Sequence, residues 1–135
     1  MIELQGLDHV VLRTTRLDAM LHFYCEILGC QLERSLPPAE GLIQLRAGAA
    51  LIDLVTVDSA LGRLGGGPPT QDGRNVDHIC LTIAPRPQAA LLKYFDRHGI
   101  EHSEFEERYG AQGIGPSLYV NDPEGNVVEL KPLIE

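Results

Sequence analysis

Basic clusters, paired-cysteine motifs and long apolar runs are all missing from this chain, and each absence removes a class of function. Lys and Arg together number only 11, scattered along the sequence against 19 Asp and Glu, for a formal net charge of −8. Nucleic-acid backbones are held by clustered cations, so no nucleic-acid partner is expected. An acidic balance aids solubility and favours cations as ligands. Cys25, Cys30 and Cys80 are odd in number and show no CxxC spacing, which argues against a disulfide framework and against a thiolate zinc site. They read as reduced core residues. No apolar run approaches the roughly 18 residues of a membrane span, so no membrane partner is expected. The opening MIELQGLDHV has neither a basic n-region nor an apolar h-region, and a cytoplasmic location is the expectation.

What is present is repetition. The chain has 135 residues, 44% hydrophobic and 22% charged, the profile of one ordinary soluble domain (1-135). DHVVLRTT begins at Asp8 and DHICLTIA at Asp77, an offset of 69. Each is followed by a helical pattern with a glycine stop. The first helix is predicted over Leu17 to Leu28, with Leu17, Met20, Leu21, Tyr24, Ile27 and Leu28 on one face. Thr15 and Asp18 have the spacing of a capping box, and Gly29 suits the C-terminal stop. The second helix starts at Pro87, carries Leu91, Leu92 and Phe95 as its stripe, and closes at Gly99. His98, near that end, favours the helix dipole when charged.

Three further strands are predicted after each helix. In the first half they lie near Gln31 to Leu36, Leu42 to Ala47 and Ala50 to Val57. In the second they lie near Glu101 to Glu106, Ser117 to Val120 and Val127 to Pro132. Ala47-Gly48-Ala49 and Asp122-Pro123-Glu124-Gly125 mark hairpins, the latter with the Pro and Gly positions of a type I turn. The halves are therefore about 5-57 and 76-133. The Gly- and Pro-rich stretch 58-75 between them reads as a flexible linker, and with no GK[ST] following, its glycines form no phosphate cradle. The expected class is α+β, built by duplication of a βαβββ module.

Two pairs of polar residues occupy equivalent places in the repeat. His9 and His78 open the first strand of each half, and Asp53 and Glu129 sit in the last. The carboxylate offset is 76, so the second half carries about seven extra residues, placed in the loop EERYGAQGIG. A charged residue flanked by apolar ones in a strand is costly if it points inward unpaired. Two imidazoles with one or two carboxylates form a recognised divalent-metal set. If these four residues point inward, strand alternation puts Val11, Arg13, Leu51, Val55, Cys80, Thr82, Val127 and Lys131 on their faces.

The stretches DHVVLRTTRLDAMLHFYCEILGCQLE, DHICLTI and SLYVNDPEGNVVELK resemble the vicinal oxygen chelate superfamily over almost the whole chain. That superfamily includes glyoxalase I, methylmalonyl-CoA epimerase, extradiol dioxygenases, fosfomycin-modifying thiol transferases and bleomycin-binding proteins. The resemblance implies two βαβββ modules forming a half-open eight-stranded mixed β-barrel around one divalent metal ion, whether Ni, Zn, Co, Mn or Fe. His9, His78 and Glu129 match the ligand positions. Asp53 stands where metal-binding members often have Glu or Gln. One methylene shorter, it is a ligand, a water-mediated neighbour, or a carboxylate paired with Arg13 or another cation.

The resemblance further implies a metal-dependent glyoxalase-type lyase or isomerase acting on a small oxygen-bearing substrate through a metal-stabilised enediolate. Glu129 or Asp53 is then the catalytic base. Ser117 and Tyr119 are expected in the cavity by similarity to the fosfomycin enzymes. Arg13 and Lys131 are candidates for holding an anionic substrate, with salt bridges as the simpler reading. Cys80 is a small strand residue before it is a nucleophile. The loop Tyr109 to Gly115 is a lid or a loose connection. An Fe(II) extradiol dioxygenase and a non-catalytic drug-binding protein of the bleomycin-resistance type are the alternatives. A fosfomycin transferase fits less well, since the sequence shows no Trp and stops just after the last strand. A homodimer is expected, as in many relatives.

Overall fold

The computed structural model describes residues 1–134 and divides into two units, Met1–Asn75 and a second beginning at Val76. Unit 1 runs β1 (His9–Thr14), α1 (Leu17–Leu21), a π-helix (His22–Ile27), β2 (Gln31–Ser35), β3 (Leu42–Ala47), β4 (Ala50–Thr56) and α2 (Ala60–Arg63). Unit 2 runs β5 (His78–Ile83), α3 (Gln88–Arg97), β6 (Glu106–Gly110), β7 (Gly113–Asn121) and β8 (Val127–Pro132). The sheets repeat one topology, β1-β4-β3-β2 and β5-β8-β7-β6, with the first and last strands of each half parallel and the other pairs antiparallel. The βαβββ duplication is thus realised as two four-stranded mixed sheets.

Alternation explains which face each strand buries. In unit 1, Leu12, Leu45, Ile52 and Leu54 are buried on the face opposite His9, and Leu118, Val120, Val128 and Leu130 are their counterparts in unit 2. The helical segment of unit 1 departs from the predicted single α-helix. Its second part has π geometry, which turns Phe23 inward beside Tyr24, and both are buried with Met20 and Ile27. The residue before the helix, Arg16, makes no side-chain cap, and Thr14 Oγ1 accepts from the Arg16 N–H at 2.8 Å. Gly29 and Gly99 both end helices at positive φ (86° and 68°), as their positions suggested.

Two loop expectations are corrected. The stretch Tyr109 to Gly115 is not a loose connection. It is the tip of the β6–β7 hairpin, in which Arg108 pairs with Gly115 and Gly110 with Gly113. The strand expected over Glu101 to Glu106 instead begins at Glu106. Upstream only His102 bridges to Val120, because the Ser103 hydroxyl accepts the Tyr119 N–H at 2.9 Å in place of a ladder carbonyl. The linker is also less loose than its composition implied. Ser59 caps α2 by accepting from the Gly62 N–H, and the Arg13 guanidinium donates to the carbonyls of Gly62, Gly66 and Gly67. Gly65 is required there, since a Cβ would stand 2.6 Å from Arg13 Nε.

Candidate functional site

Each unit builds the same pair from its sheet register. In unit 1, His9 lies opposite Leu51 and Val11 opposite Asp53, so His9 and Asp53 are diagonal neighbours on one face. Their closest atoms, His9 Nε2 and Asp53 Oδ2, are 4.0 Å apart. In unit 2, His78 lies opposite Val127 and Cys80 opposite Glu129, and His78 Nε2 is 3.4 Å from Glu129 Oε1. Both carboxylates are buried, Asp53 at 2% and Glu129 at 7% exposure, whereas both imidazoles are open to solvent.

The orientation of each ring has a local cause. His9 Nδ1 is 2.6 Å from Asp8 Oδ2, and His78 Nδ1 is 2.6 Å from Asp77 Oδ2. A carboxylate accepts only, so Nδ1 is the donor in each pair, and Nε2 is the nitrogen turned toward the buried carboxylate. This is the arrangement that prepares imidazole as a metal ligand. The hydrogen bond to Asp8 also raises the pKa of His9 above its ordinary value, with Asp53 adding to the effect. The repeated Asp-His dipeptide was visible in the sequence; the role of its Asp was not.

The carboxylates differ in their partners. Asp53 Oδ2 accepts from Gln44 Nε2 at 3.2 Å, while Oδ1 is buried with no hydrogen-bond partner. Glu129 Oε2 accepts from the Ser117 hydroxyl at 2.7 Å. Tyr119, opposite Glu129 in the ladder, meets His78 edge to face at 5.8 Å. Ser117 and Tyr119 therefore both lie against the His78–Glu129 pair. Gln44 and Arg108, which donates to Ser117, were missed, and only the pairing of strands could have found them.

Cys80 sits beside Glu129, and desolvation and that carboxylate push its pKa up to about 11, which leaves it a poor thiolate at neutral pH. Arg13 is spent on the carbonyls of Gly62, Gly66 and Gly67, and Lys131 Nζ donates to the carbonyls of Arg108 and Gly113. Among the described residues, neither makes the salt bridge first suggested for it. His102 is held by Asp96 and the Ser103 carbonyl, away from these pairs.

The donors fit a divalent metal in chemistry: an oriented imidazole with an adjacent carboxylate in each half, and an orphaned buried oxygen on Asp53. Among the described residues, no three His, Cys, Asp or Glu side chains stand together as a ready metal group.

Residues 6–130 match the family described as the Glyoxalase/Bleomycin resistance protein/Dioxygenase superfamily. The chain belongs to this superfamily. It is 30% identical over 133 residues to biphenyl-2,3-diol 1,2-dioxygenase 3 of Rhodococcus globerulus, a match covering 93% of this chain and 62% of that protein. The chain thus spans about three-fifths of the length of this curated relative. An integron cassette protein from V. cholerae superposes with a TM-score of 0.75 at 26% identity, covering 99% of each chain. The lactoylglutathione lyase of Agrobacterium tumefaciens shares the fold, with a TM-score of 0.67, 20% identity, and coverage of 96% of this chain and 95% of that one. Superfamily membership accounts for the duplicated module. Among the described residues, no helix is long and apolar enough to cross a membrane.

Proposed function

We propose that the chain is a metal-dependent enzyme of the glyoxalase type, a lyase or isomerase that moves a carbon-bound proton on a small oxygen-bearing substrate. His9, His78 and Glu129 are its metal ligands, and Asp53 is its base. One observation carries the reading. Asp53 is buried, one oxygen is tied to Gln44, and the other has no donor, so it is a carboxylate with lone pairs to spare. Such a group is suited to take a proton.

A divalent metal, when bound, supplies a Lewis acid for the substrate oxygens. The chain's own residues do the rest. Asp8 and Asp77 hold the imidazole tautomers, Ser117 holds Glu129, and Tyr119 beside His78 offers a substrate contact. No substrate role is proposed for Arg13 or Lys131, whose charges are occupied.

A second reading is an Fe(II) extradiol-type dioxygenase, and the 30% identity to a biphenyl-diol dioxygenase favours it. A homodimer is part of both proposals. The histidine-bearing strands β1 and β5 are edge strands of their sheets, and edges are readily completed by another chain.

The test has two arms. Metal-free protein is reloaded with Ni, Zn, Co, Mn or Fe, and metal per chain is measured by elemental analysis. Exchange of the substrate carbon-bound proton in D₂O is then followed by NMR for α-oxoaldehyde adducts and acyl thioesters. Exchange that requires metal and is lost in Asp53→Ala supports the proton-transfer reading. Oxygen uptake with catechols under Fe(II), without exchange, replaces it with the second.

A further inference from the structure

The two oxygens of Glu129 are treated differently. Oε1 faces His78, and Oε2 accepts from Ser117. A serine hydroxyl has a single proton and two lone pairs, so its direction depends on what else approaches it. What approaches is Arg108. Its Nη1 donates to Ser117 Oγ at 3.0 Å and to the Ser117 carbonyl at 2.6 Å. A guanidinium has no lone pair to offer, so it occupies Oγ as an acceptor. The hydroxyl proton is then left with one strong acceptor, Glu129.

Arg108 is itself held from three sides. Its Cζ lies 4.2 Å above the Tyr119 ring, its Nη2 is 3.4 Å from Glu106, and its own carbonyl accepts from Lys131 Nζ at 2.6 Å. Lys131 also binds the Gly113 carbonyl at 2.9 Å, which ties both strands of the β6–β7 hairpin to β8.

We infer that Arg108 is a positioning residue: through Ser117 it locks the Glu129 carboxylate so that Oε1 is presented beside His78. The inference rests on the reading of Glu129 as a metal ligand given above. It goes beyond that reading by assigning strand β6 of the hairpin the task of setting ligand geometry. Unit 1 shows what the relay adds. Among the described residues, the only side chain that donates to Asp53 is the neutral amide of Gln44, at the longer distance of 3.2 Å, and one oxygen is left unheld.

The experiment uses the full chain and Co²⁺ as probe, with affinity and the visible d–d spectrum both recorded. Arg108→Ala and Ser117→Ala are each expected to weaken Co²⁺ binding by about 10- to 100-fold, the usual effect of losing an outer partner of a ligand. The double variant should be no weaker than either single one, because the two residues act in series. Arg108→Lys should fall between, since an ammonium restores a donor but not the planar guanidinium that lies over Tyr119. An Arg108→Ala protein that binds Co²⁺ within twofold of wild type, with an unchanged spectrum, overturns the inference.

If Arg108→Ala does not fold, Arg108→Met keeps the stem over Tyr119 without donors and is expected to show the same loss. Failure of both to fold makes Arg108 a structural residue and overturns its positioning role. If wild type itself binds no Co²⁺, the ligand reading fails separately. Crystal structures of metal-free wild type and Arg108→Met then decide the relay. A Glu129 carboxylate turned away from Ser117 in the variant supports it, and an unchanged one overturns it.

Discussion

Unit 1 and unit 2 carry the same pair of groups on the same topology, yet they support them differently. In each, an Asp-His dipeptide opens an edge strand and the imidazole faces a buried carboxylate two positions along the neighbouring strand. The shared part follows from the register, which duplication copied. The difference lies in what the third strand brings. Opposite Asp53, β3 places Gln44; opposite Glu129, β7 places Tyr119, with Ser117 two residues before it. Each carboxylate is held at one oxygen, Glu129 by a hydroxyl at 2.7 Å and Asp53 by an amide at the longer 3.2 Å, so Glu129 is the more firmly fixed in direction. The first arrangement suits a ligand and the second suits a base.

The largest expected effect separates those roles. Glu129→Ala should lower metal affinity by more than about 100-fold, exceeding the usual loss for an outer partner. Asp53→Ala should keep its metal to within about tenfold yet lose about 10²–10⁴ in kcat, the range for removal of a general base. Elemental analysis beside steady-state kinetics reads both. Equal loss of metal in the two variants would erase the distinction and make Asp53 a ligand.

A smaller effect tests what the halves share. Asp8→Ala and Asp77→Ala should each weaken metal binding by about 10- to 100-fold, since each frees an imidazole to take the wrong tautomer. The two losses should be similar, measured by competition with a chromophoric chelator. A loss confined to Asp77→Ala would mean that only unit 2 prepares a ligand.

The smallest concerns a feature seen in unit 2. Both nitrogens of His102 face acceptors at 2.8 Å, the Ser103 carbonyl and Asp96 Oδ1, so the bonded ring is the charged form. These partners, the carbonyl first, raise its pKa above the ordinary 6.5. A raised folded-state value means that the stabilisation is complete below the unfolded pKa and is lost as pH rises through the folded one. Wild type should therefore lose thermal stability between pH 6 and pH 8 relative to His102→Gln, by on the order of 2 °C in Tm. A flat difference across that range would show that His102 holds its place uncharged.

Much of this was legible in the chain. Period-2 alternation around DHVVL, LIDLV, DHICL and VVELK identified the strands and the faces they share, and the repeat singled out His9, His78, Asp53 and Glu129 together. Less legible was whatever depended on contacts distant in sequence. Arg108 reaches Ser117 across a hairpin whose Gly-rich tip looked like a loop, because Gly110 and Gly113 carry turn chemistry but no strand propensity. The π turn at His22–Ile27 was hidden for another reason: a helical stripe records which residues are apolar, not whether the hydrogen bonds skip one further residue.

The sequence by itself determined the class of fold, the duplication and the chemical types that face one another, because strand period and repeat offset are properties of the chain alone. Tertiary structure decided which oxygen of each carboxylate is held, which cations are already spent on carbonyls, and which arginine reaches the pair in unit 2. Those outcomes depend on strand register and on distances of a few tenths of an ångström between residues far apart in sequence, and no local pattern encodes them.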